Sequence, residues 1–555
     1  MAFQLSPSVN VTEIDASGIV PAVATSIGGF VGTFQWGPVE EITTISNEAD
    51  LVRVFGKPND TVAQSFFSAA NFLAYANNLK TVRVVDETAK NAVTTGSAVL
   101  IKNATDWETF FSSGEAAVGE WAAKYAGNLG NSLKVSMVDS ASWSSWDYKS
   151  SFDSAPATSD FCTALGATTA NDELHIIVID KDGLITGTPN TVLEKFAHVS
   201  KAKNAKKSDG TRSYYVDVIS KTSKYIWWMD HTASVEDSHD VWGSDAIATT
   251  IFNLTTGVIT KSLSGGVSGD VPASLATGWD LFANAEEIDV NLLITGPAIY
   301  TDSLSIIALA ETRMDCIVFV SPALDSLTAD DVVSDRENFG SSSYSVMDSG
   351  WKYQYDKYND KYRWVPLNAD IAGLCARTDD IADPWFSPAG LNRGQIKNVV
   401  KLNWNPGTQA QRDTLYKSQV NPVVTMAGQG TVLMGDKTML TRPSAFDRIN
   451  VRRLFIVLEK AIATAGKFQL FEFNDAFTRA QFRNLTEPFL RDVQGRRGVY
   501  DFKVVCDTTN NTGDVIDANG FVADIFIKPA RSINFMQLNF IATRTGVSFT
   551  EVAGA

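Results

Sequence analysis

"IDVNLLITGPAIYTDSLSIIALAETRMDCIVFVSP", residues 288–322, is the stretch that decides the fold. Val290-Asn291-Leu292-Leu293-Ile294 and Cys316-Ile317-Val318-Phe319-Val320 are short runs of almost unbroken apolar residues. Between them, "AIYTDSLSIIALAETR" (298–313) reads as a helix. Strand, helix and strand in that order form a βαβ unit. Continuous apolar runs belong to a parallel sheet buried on both faces, because a half-exposed strand would alternate.

Working outward on the N-terminal side, "SIGGFVGTFQWGPVEEITTI" (26–45) reads as a small-residue strand, a turn at Trp36-Gly37-Pro38 and a second strand. Ser46 caps a helix through Leu51 and Phe55, with Gly56 as its stop. A stronger helix spans Val62 to Tyr75, with Phe66, Ala70 and Leu73 on one face, and leads into a strand at 80–86, "KTVRVVD". On the C-terminal side, "WKYQYDKYNDKYRWVP" (351–366) is a hairpin turning at Asn359-Asp360. Then "DPWFSPAGLNRG" (383–394) makes a Pro/Gly-rich connection tied down by Trp385 and Phe386.

From Thr88 to about Thr277 the composition shifts to Ser, Thr, Ala, Asn and Asp, with seven tryptophans scattered through it. Aromatics at that density need something to pack on. The stretch therefore reads as one or two domains inserted into the core, with strands at 173–180 ("ELHIIVID") and near 213–219. The chain is expected to be a mixed α/β (α+β), multidomain protein.

After Pro388 come two helices. Ser444 or Asp447 caps "RINVRRLFIVLEKAIATAG", which ends at Gly466. Asn474 or Asp475 starts the next, with Phe477, Phe482 and Leu485 on one face. A proline inside a helix removes a hydrogen bond, so Pro488 is expected to break this one, with Thr486 capping a new helix that closes at Gly495. The last fifty-five residues are almost pure strand: Phe502-Val504-Cys506, then Phe521-Ala523-Ile525-Ile527, then Met536-Leu538-Phe540. Turns at Asn510-Asn511-Thr512-Gly513 and Asn519-Gly520 separate them. Both ends carry one more short alternation, Val9, Val11 and Ile14 at the front and Val547, Phe549 and Val552 at the back. Such terminal strands pair at home or reach a neighbour's open edge, and we expect them to reach out.

With 555 residues the chain is long enough for several cores, and its net charge of −16 argues against a nucleic-acid binder. Cys162, Cys316, Cys375 and Cys506 are scattered, so no disulfide framework is expected. No apolar run is long enough to span a bilayer, and no Lys or Arg precedes Arg53, so no signal peptide is read. Charge is uneven: residues 1–52 carry six acids and no base, whereas residues 442–503 carry twelve bases against seven acids. Arg479, Arg483 and Arg491, followed by Arg496 and Arg497, read as one basic face suited to an acidic partner.

The search for chemistry is nearly empty. Gly430-Thr431-Val432-Leu433-Met434-Gly435-Asp436-Lys437-Thr438 approaches a phosphate loop, but Asp436 stands where that loop needs lysine and would repel the phosphate. The βαβ unit lacks a glycine-rich first turn. His231 and His239 with Asp230, Asp237 and Asp240 are the nearest thing to a metal group, and read better as a polar loop. Asp330-Asp331-Asp335 and Asp379-Asp380-Asp383 lack the pattern of a calcium loop and read as helix starts or solvated turns. No catalytic residue, metal or cofactor is expected. Two classes remain open on these grounds, an assembly protein with strand-like ends and an enzyme whose site is hidden.

Resemblance decides between them. "RPSAFDRINVRRLFIVLEKAI" (442–462) and "FEFNDAFTRAQFRNLTEPFLRDVQGRRGVYDFKVVCDTTNNTGDVIDANGFVADIFIKPARSINFMQLNFIATRTGVSFTEV" (471–552) closely resemble the C-terminal region of contractile tail sheath proteins of myovirus-type phages. "AAKYAGNLGNSLKVSM" (122–137), "ARTDD" (376–380) and "DPWFSPAGLNRG" are similar to other sheath signatures. The likeness covers roughly 280–555 and 20–90, and is weak through 140–275. It implies a domain order of arm (1–22), core (23–87), inserted surface domains (88–277), core resumed (278–400), C-terminal inner domain (401–543) and arm (544–555). It also implies a helical homopolymer around a tail tube protein, joined by strands exchanged through the terminal arms, with baseplate and tail terminator proteins at its ends. Its tube-facing surface would carry Arg479, Arg483, Arg491, Arg496 and Arg497. Nucleic acid and direct membrane insertion are not expected. The place implied is the virion tail, after assembly in the host cytoplasm; a phage-like bacteriocin or a secretion system is the alternative setting.

Overall fold

The computed structural model describes residues 23–232, 242–298, 300–534 and 536–537. They divide into two compact units. The larger holds Val23–Pro384 and Pro388–Val457; the smaller holds Trp385–Ser387 and the chain from Leu458 onward.

The larger unit is built on a seven-stranded sheet. Its order is Val420–Asn421, Ser345–Asp348, Ile317–Val320, Leu292–Ile294, Gly28–Gly32, Leu79–Arg83 and Thr43–Ile45. All neighbours are parallel except the last pair, where Thr43–Ile45 runs antiparallel to Leu79–Arg83. Each strand sends alternate side chains to opposite layers. Phe30, Leu292, Ile294, Ile317, Phe319 and Val346 point into a cluster with Phe66, Phe72, Ile371 and Leu374, from the helices Ala63–Leu73 and Asn368–Ile381. Val31, Leu293, Val318, Val320 and Met347 point into a second cluster with Ile306, Ile307, Ala310 and Val332, from the helices Tyr300–Arg313 and Ala329–Asn338. The glycines of "GGFVG" have a steric reason. A Cβ on Gly28 would meet the Phe72 ring at 2.7 Å, so glycine is what lets the Ala63–Leu73 helix lie against the central strand.

Between Ala92 and Leu263 the chain builds a separate aromatic core. Trp107, Trp121, Trp227, Trp228 and Trp242 pack with Tyr214, Tyr215, Val135, Ile176 and Val178, and Trp36 joins them from the first core segment. Trp107 and Trp227 stack with centroids 5.0 Å apart. Over this core lies an antiparallel sheet in the order Thr191–Ser200, Glu173–Asp180, Leu133–Val138, Ile259–Ser262. Arg83 anchors this body to the main sheet. It is fully buried, and its guanidinium donates to the carbonyls of Phe34 (3.0 Å), Gly37 (2.8 Å) and Ala126 (2.7 Å). Burial without a carboxylate beside it pulls its pKa down to about 9.

The expected βαβ unit, the Val62–Tyr75 helix and the hairpin turning at Asn359-Asp360 are all present. Several details differ. Residues 213–219 are not a strand: Tyr215–Thr222 is a helix whose Tyr215, Val216 and Ile219 are buried, and the short aromatic run hid its period. The helix at Glu48–Phe55 is capped by Asn47, whose side chain accepts from the Asp50 amide, rather than by Ser46. Of the acidic clusters, Asp331 does serve a helix start, in a capping box with Thr328. Asp379 is not solvated: its side chain, in the Asn368–Ile381 helix, is 7% exposed and paired with Arg453 at 2.6 Å. The would-be phosphate loop is a strand, Gly430–Leu433, and its buried Asp436 pairs with Arg448 at 3.3 Å.

Two buried charges generate tests. Lys201 and Asp139 are wholly buried and 3.1 Å apart; Lys201 also donates to the carbonyls of Asn171 and Asn253, and Asp139 accepts from Thr255. Lys201→Met leaves a buried carboxylate unpaired, so it should cost about 3–5 kcal/mol in denaturant unfolding. The double variant with Asp139→Leu should cost less than the single, and a single variant as stable as the parent would show the pair to be idle. Asp348 is buried where Ser321 and the Gly350 amide donate to it, near Asp370, and burial pushes its pKa up to about 8. A carboxyl raised above its unfolded value stabilises the fold fully below pH ~4 and loses that contribution as pH rises to about 8, at ~1.4 kcal/mol per pH unit. The stability of Asp348→Asn relative to the parent should therefore rise across this window; a constant difference in urea midpoint refutes the shift.

Candidate functional site

The smaller unit is organised on one helix, Ala476–Gly495. Asp475 caps it, accepting from the Thr478 amide at 2.9 Å, and that bond holds the Asp475 carboxyl below its usual range. Its inward face is Thr478, Arg479, Phe482, Leu485, Thr486, Leu490 and Val493. The helix does not break at Pro488. Thr486, expected as a new cap, is buried in mid-helix, whereas Asn484 and Pro488 lie on the exposed side. The carbonyl that Pro488 leaves unpaired is therefore open to water, which is why the helix tolerates the ring.

Against this helix lies a two-stranded antiparallel sheet, Val499–Val505 with Asp524–Pro529. Phe502 faces Ile527 and Val504 faces Ile525 across the pair, with a register irregularity between Val499 and Asp501. Gly498 makes the entry tight: a Cβ there would meet Val493 at 2.6 Å and the Trp385 ring at 3.1 Å. Trp385 donates its indole N–H to the Arg496 carbonyl at 3.1 Å, and the Arg496 guanidinium lies 5.0 Å from its ring.

The connection between the strands is knit by asparagines. Buried Asn511 donates to the Val522 carbonyl (2.7 Å) and accepts from the Val522 amide (2.9 Å) and from Asn474 (3.1 Å). Asn474 donates to Gly520 as well, and Asn510 donates to the Val505 carbonyl. Phe482 meets Phe521 edge to face at 5.6 Å. Among the described residues the sheet stops at two strands, so the outer backbone groups of both have no strand beside them. A two-stranded ribbon alone is marginal in water, and open edges are templates for further pairing.

The sequence-derived candidates fall as follows. Val9, Val11, Ile14, Val547, Phe549 and Val552 lie outside the described residues. Arg479 is not on a free basic face. It is 7% exposed and donates to the carbonyl and side-chain oxygens of Asn474, because position 479 shares the inward face with Phe482. Arg483 is half-buried, and Arg491, Arg496 and Arg497 are exposed. Arg491 lies 3.6 Å from Glu487 and Arg496 3.4 Å from Asp492, each one turn away. Phe477, expected inward, is 75% exposed. It belongs to a run the sequence reading missed, Phe468, Leu470, Phe471, Phe473 and Phe477, all exposed. Their crowding into ten residues between two helices was the available signal.

Among the described residues no group of three or more His, Cys, Asp or Glu side chains is close enough to hold a metal ion. His231 pairs its Nδ1 with the Tyr215 hydroxyl, and burial lowers its pKa; His239, Asp237 and Asp240 are outside the described residues. All four cysteines are free and buried. No helix of the described residues is long and apolar enough to cross a membrane.

Known proteins resemble this chain along its whole length. Three family models match successive stretches: the Gp18 tail sheath domain III N-terminal region over 25–84, the phage tail sheath protein central domain over 280–439, and the phage tail sheath C-terminal domain over 441–543. The chain is 35% identical to the tail sheath protein of Enterobacteria phage T4, across 99% of each chain. It is 34% identical to that of Salmonella phage ViI, across 99% of this chain and 98% of the other. In fold it is similar to the sheath tail protein of Listeria innocua, with a TM-score of 0.57 at 12% identity over 93% of this chain and 95% of that one. The sheath of an extracellular contractile injection system, PVC, in its contracted state gives 0.52 at 12% identity over 98% and 99%.

Two substitutions test the local account. Pro488→Ala restores a helix hydrogen bond at an exposed position and should stabilise the smaller unit by about 1–3 kcal/mol; a lower melting temperature would show that the proline is needed. Asn511→Ala strips partners from Val522 and Asn474 and should cost about 2–3 kcal/mol. Its signature is faster hydrogen exchange at the Val522 amide, and unchanged exchange there refutes the asparagine clasp.

Proposed function

This chain belongs to the phage tail sheath proteins, and from that premise we propose how its subunits join, what they surround and how the sleeve works. The observation that carries the reading is similarity end to end, at 34–35% identity to tail sheath proteins of phages whose own lengths are covered almost completely. The protein is a structural subunit of a contractile tail sheath. In our reading, copies stack as a helical sleeve around a tail tube protein, between baseplate and tail terminator proteins. The sleeve is assembled extended in the host cytoplasm, functions in the virion tail, and shortens to drive the tube through the host envelope. It performs no catalysis; the work is stored at assembly in a kinetically trapped state.

The joint is strand addition. Val9, Val11 and Ile14 of one copy and Val547, Phe549 and Val552 of another would extend the Val499–Val505/Asp524–Pro529 sheet of a third. The two bare edges of that sheet support the reading. An added strand of four to six residues gains several backbone hydrogen bonds at roughly 0.5–1.5 kcal/mol each, with buried apolar side chains at ~1.5–3 kcal/mol each. Such a link survives while the bodies it joins change contacts.

The tube-facing surface, in this reading, is Arg483, Arg491, Arg496 and Arg497, with Arg479 serving its own helix instead. Exposed pairs are worth ~0–1 kcal/mol each, which suits a contact that must release. A phage-derived particle, such as an injection system, is the second reading; the fold likeness to the PVC sheath supports it, while the phage origin of the 34–35% identical relatives favours a virion.

The purified chain should form long hollow cylinders in negative stain, and closed shells or lasting monomers would sink the sheath reading. Deleting residues 1–20 or 546–555 should leave folded protein that makes no cylinders; cylinders of normal length would refute the arms. Reversing Arg483, Arg491, Arg496 and Arg497 to Glu should leave self-assembly intact while preventing co-assembly with tubes, and normal tube coating would remove that surface.

A further inference from the structure

The turn between the helices Ile449–Gly466 and Ala476–Gly495 exposes five large apolar side chains in ten residues: Phe468 at 67%, Leu470 at 63%, Phe471 at 106%, Phe473 at 84% and Phe477 at 75%. This is not a frayed loop. Leu470 donates to Lys467, Glu472 to Gln469 and Asp475 to Phe473 through successive backbone hydrogen bonds. Phe471 has φ of 71°, a conformation unfavourable for a bulky side chain. The backbone thus accepts strain at the very residue whose ring stands clear of the body. Nor does the unit lack the means to bury an aromatic, since Phe482, five residues beyond Phe477, is buried with its ring against Phe521.

We propose that this aromatic knob docks on a second copy of the chain, as an apolar contact between sheath subunits separate from the arms and from the tube-facing arginines. The inference rests on the sheath reading above. Area supports it first. An aromatic side chain contributes about 150–250 Å² when buried, so the knob offers roughly 700 Å². That exceeds the roughly 300–600 Å² of the largest patch on an ordinary monomer and approaches the ~800 Å² per partner of a stable interface.

The run from Lys467 to Phe477 holds one base, Lys467, against two acids, Glu472 and Asp475, so apolar area rather than charge carries the contact. Most of the tube-facing set lies away from the knob: at 1.5 Å per residue, Arg483 is about 9 Å from Phe477 along the helix, Arg491 about 21 Å and Arg496 roughly 28 Å. Dry apolar contact on this scale is poorly suited to the tube, which must be released, and well suited to a bond that persists.

The test is Phe471→Ser with Phe473→Ser in the full-length chain. Both sites are exposed, so the melting temperature of the unassembled protein should match the parent. The concentration needed for cylinders to form, read by sedimentation, should rise at least tenfold. A variant that assembles at the parental concentration overturns the proposal, and one that self-assembles normally but no longer coats tubes reassigns the knob to the tube. A parent that never forms cylinders instead removes the sheath reading on which the proposal stands. In a second measurement, Phe473→Cys is labelled with an environment-sensitive dye, selectively because the four native cysteines are buried. Its emission should shift to the blue on assembly, and an unchanged spectrum in well-formed cylinders overturns the contact.

Discussion

A parallel sheet leaves neither face to water, and the larger unit follows from covering both faces of one. Strands such as Leu292–Ile294 and Ile317–Val320 carry apolar side chains on both sides, so helices must lie above and below. The helices Ala63–Leu73 and Asn368–Ile381 cover one face, and Tyr300–Arg313 and Ala329–Asn338 the other. The inserted aromatic body has its own core and meets the sheet segment through Trp36, which packs into that core, and through Arg83, which donates to the Ala126 carbonyl. Insertions can grow on such a scaffold without disturbing the layers beneath.

The smaller unit does the opposite. Among the described residues its helix covers one side of a two-stranded sheet and leaves the sheet's edges and a run of aromatics uncovered. In a protein that works alone these would be liabilities, inviting aggregation. In the sheath we propose, they are the surfaces that assembly uses. The contrast between a larger unit with its sheet covered and a smaller one with its sheet incomplete is the physical form of a polymer building block.

Features that imitate chemistry prove structural. Asp436, which spoils the phosphate-loop pattern, is the buried partner of Arg448, and Asp379 is that of Arg453. Lys201 and Asp139 satisfy each other in the aromatic body. A lone sequence shows charged residues near glycines or one another, but only the surroundings reveal whether such a charge is aimed at a ligand or consumed by a neighbour.

By itself the sequence determined the elements whose pattern is local: the βαβ unit at 288–322, the helix ending at Gly466, the hairpin at Asn359-Asp360, and the absence of familiar catalytic motifs. Hydrophobic period and turn chemistry suffice for these, because neighbours in the chain create them. The motifs of the C-terminal third also carried the family. Only the tertiary structure decided which arginines are exposed. Arg479 and Arg491 are alike in sequence, but one faces Asn474 within the body and the other faces solvent. The same holds for Pro488, tolerated because its side of the helix is exposed, and for Phe477, exposed although Phe482 is buried. Burial depends on what packs against a residue from far along the chain, and no local period encodes that.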